Sequence, residues 1–287
     1  MKKGISVCMI VYNDGEIIKT ALESVKEIAD EILIVHDGPD KSNMKKICRK
    51  YTKNFFILLH KGLCERHQAY LYRKAKFDWI LKIDADEFLS KNLQRDIRKL
   101  IENESADAYS FIWPYWNGKR YITKAGPRKI ELYRKDKISY IGFANFGEPV
   151  IKGNTVKTNY VLEHHPQRGD PTNWSTFKER DLKSVTFSQA QDLIKDFSEF
   201  DTFQYPEKKL PTRLEIRKKY PLSSAFLIGI FNTVNQFFNE GFLKDYRVFL
   251  KTIHYPFLRS ILYGYYIFKL KKNPNWKIKD DLFLRYL

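Results

Sequence analysis

The first part of the chain, to about residue 90, alternates short apolar runs with amphipathic stretches, and this alternation restricts the fold most. The runs Ile5–Val11, Glu31–His36, Asn54–Leu59 and Trp79–Ile83 have the length and composition of buried strands. Helical spacing of the apolar residues between them, as in Gly15–Ile28, predicts helices. Strand–helix–strand alternation at this pitch is typical of an α/β fold, a mostly parallel sheet flanked by helices.

Polar residues follow three of these predicted strands directly. The segments are Tyr12-Asn13-Asp14, Asp37-Gly38 and Asp84-Ala85-Asp86-Glu87. Ligands of parallel sheets bind beyond the carboxyl ends of the strands, so these side chains are expected at one binding edge. No GxGxxG follows the first strand and no GxxxxGKS/T occurs in the sequence, which argues against a dinucleotide-binding Rossmann site and a P-loop enzyme.

Composition is that of a globular protein from a reducing compartment. Of the 287 residues, 43% are apolar, which is enough for a sizeable core. The three cysteines, Cys8, Cys48 and Cys64, form no CxxC pair, which excludes a disulfide scaffold and argues against a zinc site. The N-terminal residues lead into an apolar run without a small-residue cleavage site, so we expect no signal peptide and a cytoplasmic protein.

The charge is strongly basic and is concentrated towards the C-terminal end. The formal net charge is +17, and the segment from Tyr205 to Leu287 holds 16 Lys/Arg and 6 Asp/Glu, a net charge of +10. One explanation is a Lys-rich genome, in which case the excess of positive charge has no functional meaning. The functional interpretation is a polyanionic partner, which would be nucleic acid, a nucleotide-linked substrate or an anionic membrane.

Helical periodicity dominates after residue 205, and we predict two regions, 1–205 and 206–287. Tyr220–Asn239 carries no charge, but its proline and polar side chains make it a poor membrane span. Thr252–Leu270 fits a tilted helix at a membrane interface or, equally, a helical lid on the core. We expect these basic, aromatic helices to dock on the cytoplasmic face of the inner membrane, with a homodimer interface as the alternative.

Asp84 and Asp86 form the sharpest chemical motif. Two carboxylates two residues apart at a strand end point to the same side. With Glu87 beside them they suit a hard divalent cation, Mn²⁺ or Mg²⁺, which would neutralise the charge of a leaving diphosphate. The alternative is that Asp84 or Glu87 only caps the helix that follows.

These segments together resemble the family 2 glycosyltransferases, which have the GT-A fold. The likeness rests on SVCMIVYND, EILIVHDG, Arg66 and DWILKIDADEF, in order and spacing over residues 5–90. It is nearest to the bacterial subgroup that builds lipopolysaccharide core and capsule. The chain departs from the family pattern where His36-Asp37-Gly38-Pro39 replaces Asp-Asp-Gly-Ser and where Gly147-Glu148 replaces His-Glu.

The resemblance implies inverting transfer of a sugar from a UDP-linked donor to a hydroxyl of a glycan or lipid-linked acceptor. Asp37 would accept a hydrogen bond from the uracil imide while Tyr12 stacks on the ring, and Arg66 would contact the diphosphate or hold Asp84. Asp84 would hold the ribose and Asp86 the metal. The implied donor-binding residues are Val11, Tyr12, Asn13, Asp37, Arg66, Asp84, Ala85 and Asp86.

Residues beyond the paired aspartates complete the implied site. Glu148 is the candidate catalytic base, since transfer to a hydroxyl needs a base near the anomeric carbon. His164 or His165 is a candidate for the additional metal ligand or a diphosphate contact. Trp113 and Trp116 would form an acceptor platform, because aromatic rings cover the C–H faces of sugars.

Two other classes of protein remain open from the sequence. A metal-dependent nucleotidyltransferase, phosphotransferase or nuclease would need further carboxylates beside Asp84, Asp86 and Glu87, and only Glu131 and Glu148 are candidates. A non-catalytic nucleic-acid binder would use the basic charge and bind in a salt-dependent way. It leaves the paired aspartates unexplained and the sequence has no RNP, KH or zinc signature, so we expect no nucleic-acid partner.

Overall fold

The computed structural model describes residues 2–116, 118–121, 127–144, 148–166, 174–207, 209–239 and 246–281. Its first half alternates strands and helices. In chain order these are β1 (Lys2–Val11), α1 (Ile18–Val25), β2 (Glu31–Asp37), α2 (Met44–Cys48), β3 (Asn54–Leu58), α3 (Glu65–Lys74), β4 (Phe77–Lys82), β5 (Glu87–Leu89) and α4 (Lys91–Leu100).

The second half holds shorter strands and then helices. The strands are β6 (Ala108–Ile112), β7 (Arg128–Arg134), β8 (Ile138–Ile141), β9 (Val150–Ile151), β10 (Thr155–His164) and β11 (Thr202–Phe203). The helices are α5 (Trp174–Thr176), a π-helical segment (Phe177–Val185), α6 (Thr186–Ile194), α7 (Thr212–Lys219), α8 (Pro221–Asn239) and α9 (Tyr246–Lys272).

One eight-stranded sheet organises the fold, in the order β3-β2-β1-β4-β7-β6-β10-β5. Strands β3, β2, β1 and β4 are parallel, whereas β7 runs antiparallel to both of its neighbours. A second, three-stranded sheet has the order β11-β8-β9, and its Tyr140 and Phe203 pack in one apolar cluster with Cys8 and Ile80 of the main sheet. The prediction of a mostly parallel α/β sheet flanked by helices is confirmed, and the carboxyl ends of β1, β2 and β4 lie at one edge.

Apolar side chains on both faces of the sheet explain why β1 reads as a continuous apolar run. Val7 and Met9 belong to a core cluster with residues of α1 and α4, whereas Cys8 joins a second cluster with Tyr72 of α3. Alternate residues of a strand point to opposite faces, so a strand covered on both sides has no polar face. Helix α4 begins at Ser90, whose hydroxyl accepts from Leu93 N, so the cap is Ser90 and not Asp84 or Glu87.

A third apolar cluster joins the end of the sheet region to the C-terminal helices. It contains Phe143, Phe177 and Leu193 together with Leu214 of α7 and Tyr266 of α9. Segment 201–211, which contains the predicted boundary between the two regions, contributes β11 to the three-stranded sheet. Among the residues described, none of the helices has both the length and the apolar character that crossing a bilayer requires.

Candidate functional site

The loops after β1, β2 and β4 meet at one edge of the sheet. Val11, the buried last residue of β1, lies opposite His36 in the parallel register of β1 and β2. Tyr12 and Asp37, the next residue on each side, are therefore neighbours. Beyond β4, Ile83 N still donates to Cys8 O at 3.2 Å, which holds the start of the Asp84–Asp86 segment beside β1.

His36 fixes the loop that carries Tyr12. Its imidazole is fully buried, with Nε2 accepting from Asn13 N at 3.3 Å and Nδ1 donating to Gly38 O at 2.8 Å. Asn13 has a φ of 52°, in the left-handed region that asparagine tolerates, and its side-chain oxygen accepts from Lys41 N. The histidine that departs from the family pattern thus ties the two loops together.

Asp37 is nearly buried and its carboxylate accepts three hydrogen bonds. Lys61 N and His67 Nε2 donate to Oδ1 at 2.6 and 2.8 Å, and Gly62 N donates to Oδ2 at 3.0 Å. His60 Nδ1 also lies 3.0 Å from Oδ2, while its hydrogen bond is to Asp37 O at 3.3 Å. Burial favours the protonated acid, but the hydrogen bonds outweigh it and the pKa of Asp37 is lowered. Asp37 is therefore an ionised anchor for the segment after β3.

His60 occupies the space in front of Asp37. Its ring stacks on the ring of Tyr12, with 5.0 Å between centroids and 29° between planes. About half of each of these two side chains is exposed. An aromatic ring stacked on Tyr12 with an N–H directed at Asp37 is the arrangement that the sequence predicted for a uracil base.

Two lysines neutralise the first aspartate of the pair. Lys82 Nζ and Lys129 Nζ each lie 3.6 Å from Asp84, and Lys129 also contacts Glu87 at 2.6 Å and Glu131 at 3.0 Å. Burial alone would raise the pKa of Asp84, but the two ammonium groups lower it well below its usual range. Because cations already separate these carboxylates, the cluster does not resemble a two-metal site.

Asp86, the second aspartate, faces a histidine instead. His164 Nε2 lies 3.5 Å from Asp86 Oδ2, and within the described ranges the buried His164 Nδ1 has no hydrogen-bond partner. Ala85 between the aspartates is buried, and Asp86 O accepts from His165 N at 2.9 Å. Within the part of the chain that the structure describes, no group of three or more His, Cys, Asp or Glu side chains converges as a metal site.

Two tryptophans stack on the two histidines. Trp113 lies on His164 with 4.3 Å between ring centroids, and Trp116 lies on His165 at 4.1 Å. Trp113 Nε1 also donates to Glu87 at 2.7 Å. His165 Nε2 contacts Tyr121 Oη at 2.9 Å, and the structure gives no contact between its ring and the Asp86 side chain among the described residues. Of the two candidate histidines, the geometry favours His164 as the partner of Asp86.

Glu148 is exposed and its Oε1 accepts from Ile130 N at 3.1 Å. In the antiparallel register of β4 and β7, Leu81 lies opposite Leu132. Ile130 lies two residues before Leu132 on the same strand, β7. Gly147, which precedes the candidate base, lies outside the described residues.

Arg66 lies on α3 and forms a two-point contact with buried Asp192 of α6, at 2.8 Å from Nη2 and 3.4 Å from Nε. Its Nη1 donates to Lys61 O at 2.6 Å. The alternative that Arg66 holds Asp84 is therefore wrong, since Lys82 and Lys129 do so. Arg66 connects the segment that anchors Asp37 to the helical part of the molecule.

Comparison with known proteins gives a family and several distant relatives. Residues 6–153 match the model of a family described as glycosyl transferase family 2. A protein of Rickettsia typhi named an uncharacterized glycosyltransferase is 26% identical over 221 residues, covering 71% of this chain and 72% of the relative. Another, from Rickettsia bellii, is 33% identical over 109 residues, and that match spans 36% of its length and 38% of this chain.

Solved structures show weaker likenesses. Staphylococcus aureus TarS 1-349 in complex with UDP-GlcNAc has a TM-score of 0.44 at 14% identity, covering 95% of this chain and 92% of that one. Glucosyl-3-phosphoglycerate synthase from Mycobacterium tuberculosis, in complex with Mn²⁺ and UDP-glucose, has a TM-score of 0.42 at 10% identity, covering 57% and 72%. At these scores the likenesses support no inference about this site.

Proposed function

We propose that this chain, which belongs to glycosyl transferase family 2, moves a sugar from a UDP-linked donor to a hydroxyl of a glycan or glycolipid acceptor. The observation that carries the proposal is the meeting of Tyr12, Asp37 and Asp86 at one edge of the parallel sheet. This edge is where α/β sheets bind ligands, and it offers an aromatic ring, a buried carboxylate and an open carboxylate in turn.

The donor would lie along this edge. Its uracil would stack on Tyr12 and donate its imide N–H to Asp37, in the space that His60 occupies here. Val11 and Asn13 shape the loop under the base. Asp84 would hold the ribose, with Ala85 and Asp86 beside it. Arg66, which contacts Asp192 in this structure, is proposed to contact the diphosphate.

The residues present fit a divalent cation at Asp86. Asp86 Oδ2 and His164 Nε2 lie 3.5 Å apart, so a carboxylate and an imidazole nitrogen would supply two ligands and diphosphate oxygens would supply others. Asp86 and His164 would hold Mn²⁺ or Mg²⁺, and His165 would serve only after its ring turns. The cation would supply positive charge to the departing diphosphate.

Glu148 would take the proton of the acceptor hydroxyl. The acceptor oxygen then forms a bond to the anomeric carbon as the bond to the diphosphate oxygen breaks on the opposite face, so the configuration inverts. The hydrogen bond from Ile130 N would hold the Glu148 carboxylate beside β7. A positioned base of this kind contributes about 10²- to 10⁴-fold to a rate.

The acceptor and the setting are proposed from the sequence and the charge. Trp113 and Trp116 would border the acceptor site, since they stack on the histidines beside Asp86. The product would be a bacterial cell-surface polysaccharide such as lipopolysaccharide core or capsule. The basic region 206–287 would hold the enzyme peripherally at the cytoplasmic face of the inner membrane or in a homodimer.

Thermal unfolding with UDP, GDP, CDP and dTDP, each with and without Mn²⁺, tests the donor class. A ligand at 100 times its dissociation constant stabilises the native state by about 2.7 kcal/mol. We expect a Mn²⁺-dependent rise of the midpoint with UDP alone, absent in Asp86→Ala and retained in Asp136→Ala, a control on an exposed carboxylate. Salt-sensitive RNA binding without any nucleotide shift would refute the proposal.

A further inference from the structure

Helix α8 presents a broad apolar surface to solvent. Six large apolar side chains on it each expose between 44% and 67% of their surface. We call this set the α8 face: Leu222, Phe226, Leu227, Ile230, Phe231 and Val234. It continues at the amino-terminal end through Ile216 and Tyr220, which are about half exposed. Single exposed apolar residues are ordinary, but a contiguous set of this size marks a binding surface.

The spacing explains why these residues share one side of the helix. Leu222, Phe226, Ile230 and Val234 follow each other at intervals of four, and Leu227 and Phe231 form the neighbouring row. No residue of α8 carries a charge. A helix side of this width without charge has the form of an interfacial helix rather than of a solvated one.

Small residues on the opposite side fix α8 against α9. Gly229 lies against Phe257 and Ser260, and the Ser260 hydroxyl donates to Ala225 O at 2.8 Å. Gly264 packs so closely on Pro221 O that a Cβ there would lie 2.4 Å from it. The α8 face therefore cannot turn inward without breaking these contacts.

Cations gather at the Pro221 end of the α8 face. Lys218 and Lys219 end α7 just before α8 begins, and Lys271 and Lys272 end α9, which runs antiparallel to α8. Lys271 Nζ donates to Lys218 O at 3.1 Å, so the two pairs are adjacent. Glu215 of α7 is exposed nearby, and the balance at this end of the helix is positive.

We propose that the α8 face docks on an anionic lipid bilayer, with its apolar side chains at the boundary of headgroups and acyl chains. The exposed Lys219, Lys271 and Lys272 would lie on the headgroup phosphates, whereas the partly buried Lys218 donates to Lys195 O at 3.3 Å. Lipid supplies the negative charge that this end lacks, whereas a second copy of the chain would bring the same positive charge. This deepens the membrane contact proposed above, and it does not depend on transferase activity.

The sequence did not single out α8 for this role. It left Thr252–Leu270 open as an interfacial helix or, equally, as a helical lid on the core, and Tyr263, Tyr266 and Leu270 of that segment are buried in the core. The uncharged α8, set aside as a poor membrane span, carries the exposed surface instead. Lying on a bilayer needs one apolar side, whereas spanning it needs the whole circumference.

Vesicle co-sedimentation of the full chain tests the proposal. We expect binding to vesicles of phosphatidylcholine with phosphatidylglycerol, weakened by high salt and weak on phosphatidylcholine alone. Leu227→Ser with Phe231→Ser should lower the partition coefficient at least about tenfold. Ser223→Leu, which adds an exposed side chain beside the face, should raise it several-fold, a gain that misfolding cannot produce.

Leu59→Ser is the matched control, since Leu59 is an exposed apolar residue of the sheet region, and it should leave binding unchanged. Thermal unfolding of each variant checks its fold. Full binding by the double serine variant would overturn the proposal. The proposal would also be overturned if the wild-type chain bound neither type of vesicle. It would equally be overturned if the chain formed a dimer that the same substitutions dissociate while vesicle binding stays unchanged. None of these results depends on nucleotide binding or sugar transfer.

Discussion

Lys129 is the residue on which the charge balance around the paired aspartates depends. Its ammonium group contacts Asp84, Glu87 and Glu131 and lies over the ring of Trp113 at 5.1 Å from the centroid. Glu87 and Glu131 are essentially buried. A buried carboxylate left without a cation is costly, so this cluster must lose stability when the lysine is removed.

We predict that Lys129→Met destabilises the protein by about 3–5 kcal/mol, because buried Glu87 then loses its contact at 2.6 Å and Lys82 is left to pair with both Asp84 and Glu131. Urea unfolding gives the free energy directly. Lys99→Met is the control, since that lysine is exposed and pairs only with Asp96 at 3.4 Å, and it should change stability by no more than about 0.5 kcal/mol. Equal stability of both variants would contradict the claim that Lys129 stabilises the buried carboxylates.

His60 should compete with the base of the donor. Its ring lies on Tyr12 and its Nδ1 on Asp37, so a nucleotide must displace it before binding there. His60→Ala is expected to tighten UDP binding by about threefold to tenfold, measured by calorimetry, because the partly exposed contact is worth roughly 1 kcal/mol. Leu59→Ala should leave the affinity unchanged. Weaker binding by His60→Ala would show that His60 instead contacts the base.

The positions of the aspartates could be predicted, but their surroundings could not. Asp37 and Asp84 follow apolar runs directly, with Asp86 two residues after Asp84, and a strand end is visible in a sequence. Lys82 gave a signal as a cation within the apolar run WILKI, which requires a buried partner. Lys129 and Glu131 gave a weaker signal, because they alternate on β7, a strand that is distant in sequence from Lys82. Nothing local indicates that His60 would stack on Tyr12 or that Arg66 would contact Asp192.

At the scale of elements, the strands of the first half were predictable because the sheet is buried on both faces. The helices after residue 205 were predictable as helices but not in their contacts. Helix periodicity gives an apolar side without saying whether protein or another surface covers it. Close packing of α8 on α9 depends on Gly229 and Gly264, whose neighbours are distant in sequence.

We predict that Gly264→Ala destabilises the protein by about 1–3 kcal/mol, since its Cβ would overlap Pro221 O and Ala225 Cβ. The overlap outweighs the gain of up to about 1 kcal/mol from alanine in a helix. Gly229→Ala is the comparison, because its Cβ would meet the side chain of Phe257 at 3.0 Å, and a smaller effect is expected. Thermal unfolding of the pair measures the difference, and a stabilised Gly264→Ala would contradict the close approach.

At the scale of the whole molecule, the predicted regions 1–205 and 206–287 share an apolar cluster. Phe177 and Tyr255 stack across the boundary with 3.8 Å between ring centroids. The positive charge is concentrated in the second region, and the candidate site lies in the first. The C-terminal helices therefore have both a packing role towards the sheet region and an exposed side.

We predict that residues 1–205 produced alone do not form a stable soluble unit. Removal of the second region would uncover Phe143, Phe177 and Leu193, which are buried against it. Dye binding to exposed apolar surface and sedimentation of the fragment measure this. A monomeric fragment with the unfolding midpoint of the full chain would show that the cluster contributes little.

The most direct test of inverting transfer is the stereochemistry of the released sugar. Proton NMR would monitor this release from UDP-linked α-sugars, with Mn²⁺ present and water as the acceptor. We predict that the first sugar released is the β anomer. Glu148→Gln should lower the rate about 10²- to 10⁴-fold while UDP still raises its unfolding midpoint, and Asp86→Ala should lose both. Release of the α anomer, or a wild-type rate from Glu148→Gln, would contradict inverting transfer with Glu148 as the base.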